Sequence, residues 1–259
     1  MSDWSLTNAL EKDGKYRQAV GQAFGSIAQM YDSWYQTPMG RYVWSVESDA
    51  VNAILPQEIH EVSLEIGVGT GMALTFLQQA SQQLVGIDIA WQMLTIVRQK
   101  TLTHENVHLI LSDGAHLPLR GECTNLILGM TILEFIADQD QFLHEIFRCL
   151  CPAGHLILGV LTSTNLWAIE RRIRNLAQQD VFKLARFPSP WQVIRNLREN
   201  GFSQVTYRGT VYAPPFASAR CLPAFHSLDM KLGTWWLSRA FGAFLVFNSR
   251  RSDFKQYVK

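Results

Sequence analysis

The sequence predicts a doubly wound α/β domain, and three observations carry that prediction. Short apolar runs alternate with amphipathic helical stretches, three glycines (Gly67, Gly69, Gly71) follow the first apolar run, and a carboxylate, Asp88, ends the second. Alternation of this kind means a parallel sheet with crossover helices. A glycine turn between a strand and its helix lets the backbone bend tightly and approach a ligand, while the helix N-terminus offers free N–H groups.

The chain opens on two helical patterns, about Tyr16 to Tyr31 and Pro38 to Leu55, separated by Asp32-Ser33-Trp34-Tyr35-Gln36-Thr37. Pro38 suits a first helical turn and Thr37 can cap it, so residues 1–57 form a helical extension. Val62 to Ile66 reads as a buried strand, Met72 to Ala80 as its helix, Leu84 to Ile87 as a strand and Trp91 to Lys100 as a helix. Val107 to Leu111 and Asn125 to Gly129 are further strands. A helix from about Gln139 to Leu150 stops at Pro152-Ala153-Gly154, and His155 to Leu161 is the fifth strand. Helices over Leu166 to Ala177 and from Ser189-Pro190 to Asn200 follow, the second closed by Gly201. Phe202 to Tyr212 and Phe241 to Asn248 bring the strands to seven. Between them Ala213 to Gly242 carries Pro214, Pro215 and Pro223 and is too long for a hairpin, which marks 213–242 as an insertion. No repeat or linker divides the chain, so 1–259 is read as one domain.

Composition narrows the function. Hydrophobic residues at 47% and charged residues at 17% suit a compact enzyme and exclude a disordered or fibrous chain. Lys plus Arg number 23 against 22 Asp plus Glu, so no global field attracts nucleic acid, and the expected partner is small or neutral. Four cysteines without a C-x-x-C pair, no signal-peptide pattern and no transmembrane run predict a cytoplasmic protein.

Gly67, Gly69 and Gly71 alone specify only a nucleotide-type ligand. Asp88 stands 21 residues after Gly67, where a carboxylate can accept both hydroxyls of a ribose; its structural alternative is a helix cap for Trp91 to Lys100. A dinucleotide fingerprint wants glycine or alanine at position 72, but Met72 is there, which disfavours NAD.

At these residues the chain resembles the class I, seven-stranded S-adenosylmethionine-dependent methyltransferases, particularly their small-molecule, ubiquinone-biosynthesis-like branch. Leu64-Glu65-Ile66-Gly67-Val68-Gly69-Thr70-Gly71 looks like the family's first motif and Gly86-Ile87-Asp88-Ile89-Ala90-Trp91-Gln92-Met93-Leu94 like its second-strand motif. Ser112-Asp113-Gly114-Ala115 with Leu117-Pro118 resembles the loop that touches adenine. Leu133-Glu134-Phe135-Ile136-Ala137-Asp138 and Leu150-Cys151-Pro152-Ala153-Gly154-His155 look like the later signatures, with Ala153 where glycine is frequent. Tyr31-Asp32-Ser33-Trp34 resembles the aromatic segment folded over the cofactor. The resemblance implies a Rossmann-like, mostly parallel sheet with an antiparallel last strand. It also implies S-adenosyl-L-methionine as cofactor, with S-adenosylhomocysteine as product. It assigns cofactor contacts to Tyr31, Glu65, Gly67, Val68, Gly69, Gly71, Asp88, Ile89, Met93, Ser112, Asp113, Gly114, Ala115 and Met130.

Methyl transfer needs an acceptor atom held in line and no dedicated nucleophile. A general base helps when the acceptor carries a proton, and Glu134 and His226 are the candidates, each with a structural alternative as a capping or solvated side chain. His104, His108, His116, His144 and His155 lack partners at ligand spacing, so no metal is expected. Nucleic-acid amino methyltransferases resemble one another in an Asp/Asn-Pro-Pro-aromatic motif, whereas this chain reads Gly129-Met130-Thr131-Ile132, so a small-molecule acceptor is expected and nucleic acid is not. Arg171-Arg172-Ile173-Arg174 is read as a solvated helix face, which a phosphorylated or acyl-carrier substrate could still use. Pro214-Pro215-Phe216, Leu222-Pro223-Ala224-Phe225 and Trp235-Trp236-Leu237 are expected to line an apolar lid; capping the sheet and resting on a membrane surface stay open for them. Two other readings remain at this stage, a non-catalytic S-adenosylmethionine-binding regulatory protein and a nicotinamide oxidoreductase.

Overall fold

The computed structural model describes residues 3–78, 80–177, 181–236 and 239–252. Two helices lead, α1 (Asp3–Tyr31) and α2 (Pro38–Asn52), joined by a 3₁₀ turn at Trp34–Gln36. Thr37 caps α2 by accepting from the Gly40 N–H at 3.0 Å, with Pro38 in the first turn as its fixed φ favours. The α/β part follows in the order β1 (His60–Ile66), α3 (Leu74–Gln78), β2 (Ser81–Asp88), α4 (Trp91–Lys100), β3 (Val107–Leu111) and β4 (Thr124–Met130). It continues through α5 (Gln139–Cys149), β5 (Leu150–Leu161), α6 (Leu166–Ala177), α7 (Pro190–Glu199), β6 (Phe202–Thr210), α8 (Leu222–Leu232) and β7 (Phe244–Arg251).

The seven strands pair in the order β3-β2-β1-β4-β5-β7-β6. All pairings are parallel except those of β7, which runs antiparallel to both β5 and β6, so the expected antiparallel last strand is present. It lies inside the sheet, between its two neighbours. Both faces are covered, and the side chains of β4 show it: Leu126 and Leu128 enter the core under α2, α3 and α4, while Ile127 enters the opposite core under α5 and α7.

Several boundaries differ from the sequence reading. The first helix begins at Asp3 rather than Tyr16, because its N-terminal half is polar and shows little periodicity. Helix α2 ends at Asn52, short of Leu55, and α3 spans only Leu74–Gln78, with Gln79 outside the described residues. The predicted stop Pro152-Ala153-Gly154 lies within β5, which starts at Leu150 and passes this point with Ala153 at φ 60°. That left-handed backbone explains why glycine suits position 153. Residues Arg239–Phe241 form a 3₁₀ turn, so β7 starts at Phe244.

The 213–242 segment is a brace whose key is one buried carboxylate. Asp229 on α8, 3% exposed, accepts from the Tyr42 hydroxyl on α2, from Thr210 Oγ1 at 3.0 Å and from the Tyr212 N–H at 3.2 Å. Tyr42 in turn accepts from the Ala213 N–H at 3.2 Å. Burying a carboxylate among donors is tolerable only while all of them are satisfied. Asp229→Ala removes the acceptor of the Tyr42 hydroxyl and leaves Thr210 Oγ1 with Val46 O, and is expected to cost about 2–4 kcal/mol, read as a lowered urea midpoint with an unchanged denaturant slope.

Candidate functional site

Parallel pairing sets Ile66 level with Ile87 and with Gly129, so the loops after β1, β2 and β4 emerge side by side at one edge of the sheet. The turn after β1 needs left-handed backbone, and Gly67, Gly69 and Gly71 supply φ of 74°, 52° and 82°. Gly67 and Val68 donate their N–H groups to Ile87 O at 2.8 and 2.9 Å, which ties this turn to the end of β2. A cavity of about 360 Å³ opens above these ends.

Asp88, 8% exposed, stands in its wall. One carboxylate oxygen accepts from the Gly69 N–H and the other from the Ala90 N–H, both at 2.8 Å. Burial pushes its pKa up while these backbone bonds pull it back. The carboxylate is thereby fixed in place, and each oxygen keeps a lone pair for a ligand.

Of the other sequence-predicted residues, Tyr31, Gly67, Gly69, Ile89, Met93, Ser112, Asp113, Gly114, Ala115 and Met130 line the same cavity. Glu65, Val68 and Gly71 do not. Val68 packs beside Gly86, and a Cβ on Gly71 would meet Val97 at 3.2 Å, so Gly71 admits α4 instead of facing a ligand. Glu65 lies 1% exposed with one carboxyl oxygen lacking any partner; burial, then the neighbouring Asp88, holds its pKa well above the carboxylate range.

Sequence reasoning missed the groups that cross the cavity mouth. Arg17 reaches from α1 to the Asp113 carboxylate at 2.9 Å, and His116 lies 3.0 Å from the same oxygen. Burial opposes this, yet His116, the Ala115 N–H and Arg17 together hold the Asp113 carboxyl below its usual range. Asp32 accepts from Thr70 Oγ1 at 2.6 Å and pairs with Lys100 Nζ at 2.6 Å, and Lys100 also donates to Thr70 O at 2.8 Å. These partners lie far apart in the chain, and no local pattern announces them.

A second chamber of about 330 Å³ shares Phe24, Tyr31, Thr131 and Phe135 with the first. Trp34, Tyr35, Trp167, Phe182 and Phe244 make it aromatic, and Glu47, Arg171 and Arg174 are its charged lining residues. Tyr31 stands between the two spaces, hydrogen-bonded to Tyr35 and Thr131, with its phenol pushed up to about 12 by burial. Thr131 holds φ 50° and Val211, also in the chamber wall, φ 63°; for these β-branched residues that backbone is strained.

Four expectations are corrected here. Arg171 is no solvated face: it is 7% exposed, and its guanidinium carbon lies 5.6, 5.5 and 5.4 Å from the ring centres of Trp167, Phe182 and Phe187. His226 lines neither cavity, because α8 rests on α2 and turns the imidazole to Ser45 and Asp49, each 3.1 Å away. Glu134 is fully buried behind the wall, where one oxygen accepts from the Leu161 N–H and the other has no partner; burial raises its carboxyl to about 7. The aromatics of the 213–242 segment line neither cavity: Leu222 and Phe225 pack in the core, while Phe216, Trp235 and Trp236 are exposed. Leu237 lies outside the described residues. Residues of α1 line both spaces, and Trp34 and Tyr35 of the turn after it line the second.

Comparison with known proteins bears on this edge of the sheet. Residues 64–158 match the family model for a methyltransferase domain, so the chain carries such a domain. An uncharacterized protein of Mycobacterium tuberculosis is 27% identical over 210 residues, covering 81% of this chain and 70% of that one. A malonyl-[acyl-carrier protein] O-methyltransferase of Marinomonas is 23% identical over 158 residues, 60% of this chain and 56% of that one. A crystal structure of a methyltransferase from Thermotoga maritima superposes with TM-score 0.69 at 22% identity, covering 90% of this chain and 100% of that one, which shows a common fold.

Glu47 yields a pH prediction. Burial, partly offset by Arg171 and reinforced by Glu134, raises its carboxyl to about 8. Between the ordinary carboxylate pKa and about pH 8 the folded state therefore holds a proton that the unfolded chain releases, so this burial costs stability increasingly as pH rises through that window. Glu47→Gln removes the cost, and its melting temperature should exceed the wild type's at pH 8.5 by several degrees, taking about 2–4 °C per kcal/mol. Near pH 5 the two proteins should melt together.

Proposed function

We propose, from the premise that this chain is a class I S-adenosylmethionine-dependent methyltransferase, that its acceptor is a small, largely apolar or aromatic molecule held in the chamber beside the cofactor. The observation that carries this reading is the shared wall. A cavity with a fixed carboxylate and a glycine turn meets an aromatic chamber across Phe24, Tyr31, Thr131 and Phe135.

The residues present suit the cofactor. Asp88 keeps acceptor capacity for two ribose hydroxyls, and Gly67 and Gly69 permit close backbone approach. The loop Ser112 to Ala115 would offer Asp113 and backbone amides to an adenine, Met130 and Tyr31 would hold the methionine portion, and the orphaned Glu65 oxygen lies in the strand that carries the turn. When bound, the cofactor would supply a methyl group on a sulfonium for in-line transfer to the acceptor, with S-adenosylhomocysteine as product. What the chain would contribute is orientation and exclusion of water, with Phe24, Tyr31, Thr131 and Phe135 at the wall where the two spaces meet. A chamber of about 330 Å³ suits a drug-sized or smaller ligand.

The reading takes 1–259 as one domain, with 1–57 as lid and 213–242 as brace. Among the described residues no helix is long and apolar enough to cross a membrane. Four unbridged cysteines support a cytoplasmic setting.

S-adenosylhomocysteine should raise the melting temperature in proportion to the logarithm of its concentration. Asp88→Ala should weaken that ligand at least tenfold while the ligand-free protein still melts cooperatively. With labelled S-adenosylmethionine and cell extract, label should appear in small molecules; label confined to protein or RNA would overturn the acceptor reading.

A further inference from the structure

We propose that the aromatic chamber selects an acceptor bearing a single carboxylate, and that Arg171 is the residue that binds it. This rests on the reading of that chamber as the acceptor site. Arg171 is 7% exposed, yet its Nη1 is buried with no hydrogen-bond partner, and no carboxylate among the described residues lies within ion-pair distance of it. Three ring faces hold the guanidinium in the chamber wall. Such contacts offset part of the desolvation of a cation but satisfy none of its N–H donors. A guanidinium in the wall of an aromatic chamber, with a buried Nη1 that has no partner, is complementary to a carboxylate attached to an apolar body.

The surrounding charges set the number of negative charges. Glu47 lines the chamber from α2 and Glu134 lies behind it, and burial leaves both carboxyls substantially protonated near neutral pH. Arg174, one turn along α6, already faces Glu170 at 3.6 Å. The cluster thus has room for one further negative charge on Arg171, and the second charge of a dianionic phosphate would have to displace Glu170 from Arg174. Position sets the orientation. Arg171 stacks on Phe182, and Phe182 lies 6.3 Å from Phe135, which belongs to the wall shared with the cofactor cavity. Arg171 is one ring removed from that wall, so the carboxylate anchors the far end of the acceptor and the methylated atom lies at the near end.

The test is binding of 3-phenylpropanoate, 3-phenylpropanamide and 2-phenylethylphosphonate to the full chain saturated with S-adenosylhomocysteine, measured by calorimetry. The carboxylate is expected to bind at least tenfold more tightly than the amide and more tightly than the phosphonate dianion. Arg171→Met should erase that preference without changing affinity for S-adenosylhomocysteine, and Arg171→Lys should keep part of it. Equal binding of carboxylate and amide by the wild type, or an undiminished preference in Arg171→Met, overturns the proposal. Should Arg171→Met fail to fold, the wild-type series and Arg171→Lys decide. A wild type that does not bind S-adenosylhomocysteine overturns the cofactor reading instead, and the same series on the free protein still decides the role of Arg171.

Discussion

The hydrogen bond from the Gly69 N–H to the Asp88 carboxylate, 2.8 Å long, joins the two loops on which the rest of this edge depends. It exists only because the turn after β1 takes left-handed backbone at three positions, and because parallel pairing brings β2 to the same level. With the Ala90 N–H on its other oxygen, Asp88 cannot swing. A carboxylate buried this far is stable as a charge only when such donors surround it, so the turn and the carboxylate hold each other in position.

The lid is attached differently. Polar contacts tie α1 and the turn after it to the α/β part, Arg17 to Asp113 beside the cavity and Asp32 to Thr70 and Lys100. Both ion pairs are partly solvent-exposed, and pairs of that kind contribute little each. α1 is held in addition by apolar packing, with Ala28 buried against Ala90 and Met93 and Phe24 edge-on to Phe135 at 4.8 Å.

The second chamber carries a concentrated energetic cost. Glu47, Glu134 and Arg171 are all buried, and oxygen or nitrogen atoms of Glu134 and Arg171 have no partner. Strained Thr131 and Val211 stand in the same wall. Unsatisfied polar groups and strained backbone concentrated around one aromatic space are unfavourable for folding alone and are characteristic of places shaped for a ligand.

What could be read along the chain was whatever depends on neighbours in sequence. Strand and helix order, the glycine turn and Asp88 at the end of β2 follow from periodicity, from the φ that only glycine adopts cheaply, and from fixed spacing within one βαβ unit. The polar first half of α1 and the strand through Pro152-Ala153-Gly154 escaped because their local signals are weak or contrary. The three-dimensional packing alone decided which side chains meet across long separations. It took His226 away from the chamber by seating α8 on α2, and it put Arg17 over Asp113. It also buried Arg171 among Trp167, Phe182 and Phe187, although the run Arg171-Arg172-Ile173-Arg174 reads as solvated. Charge and periodicity record how a residue relates to its own helix, whereas burial depends on which surface that helix meets, and no pattern within the helix contains that partner.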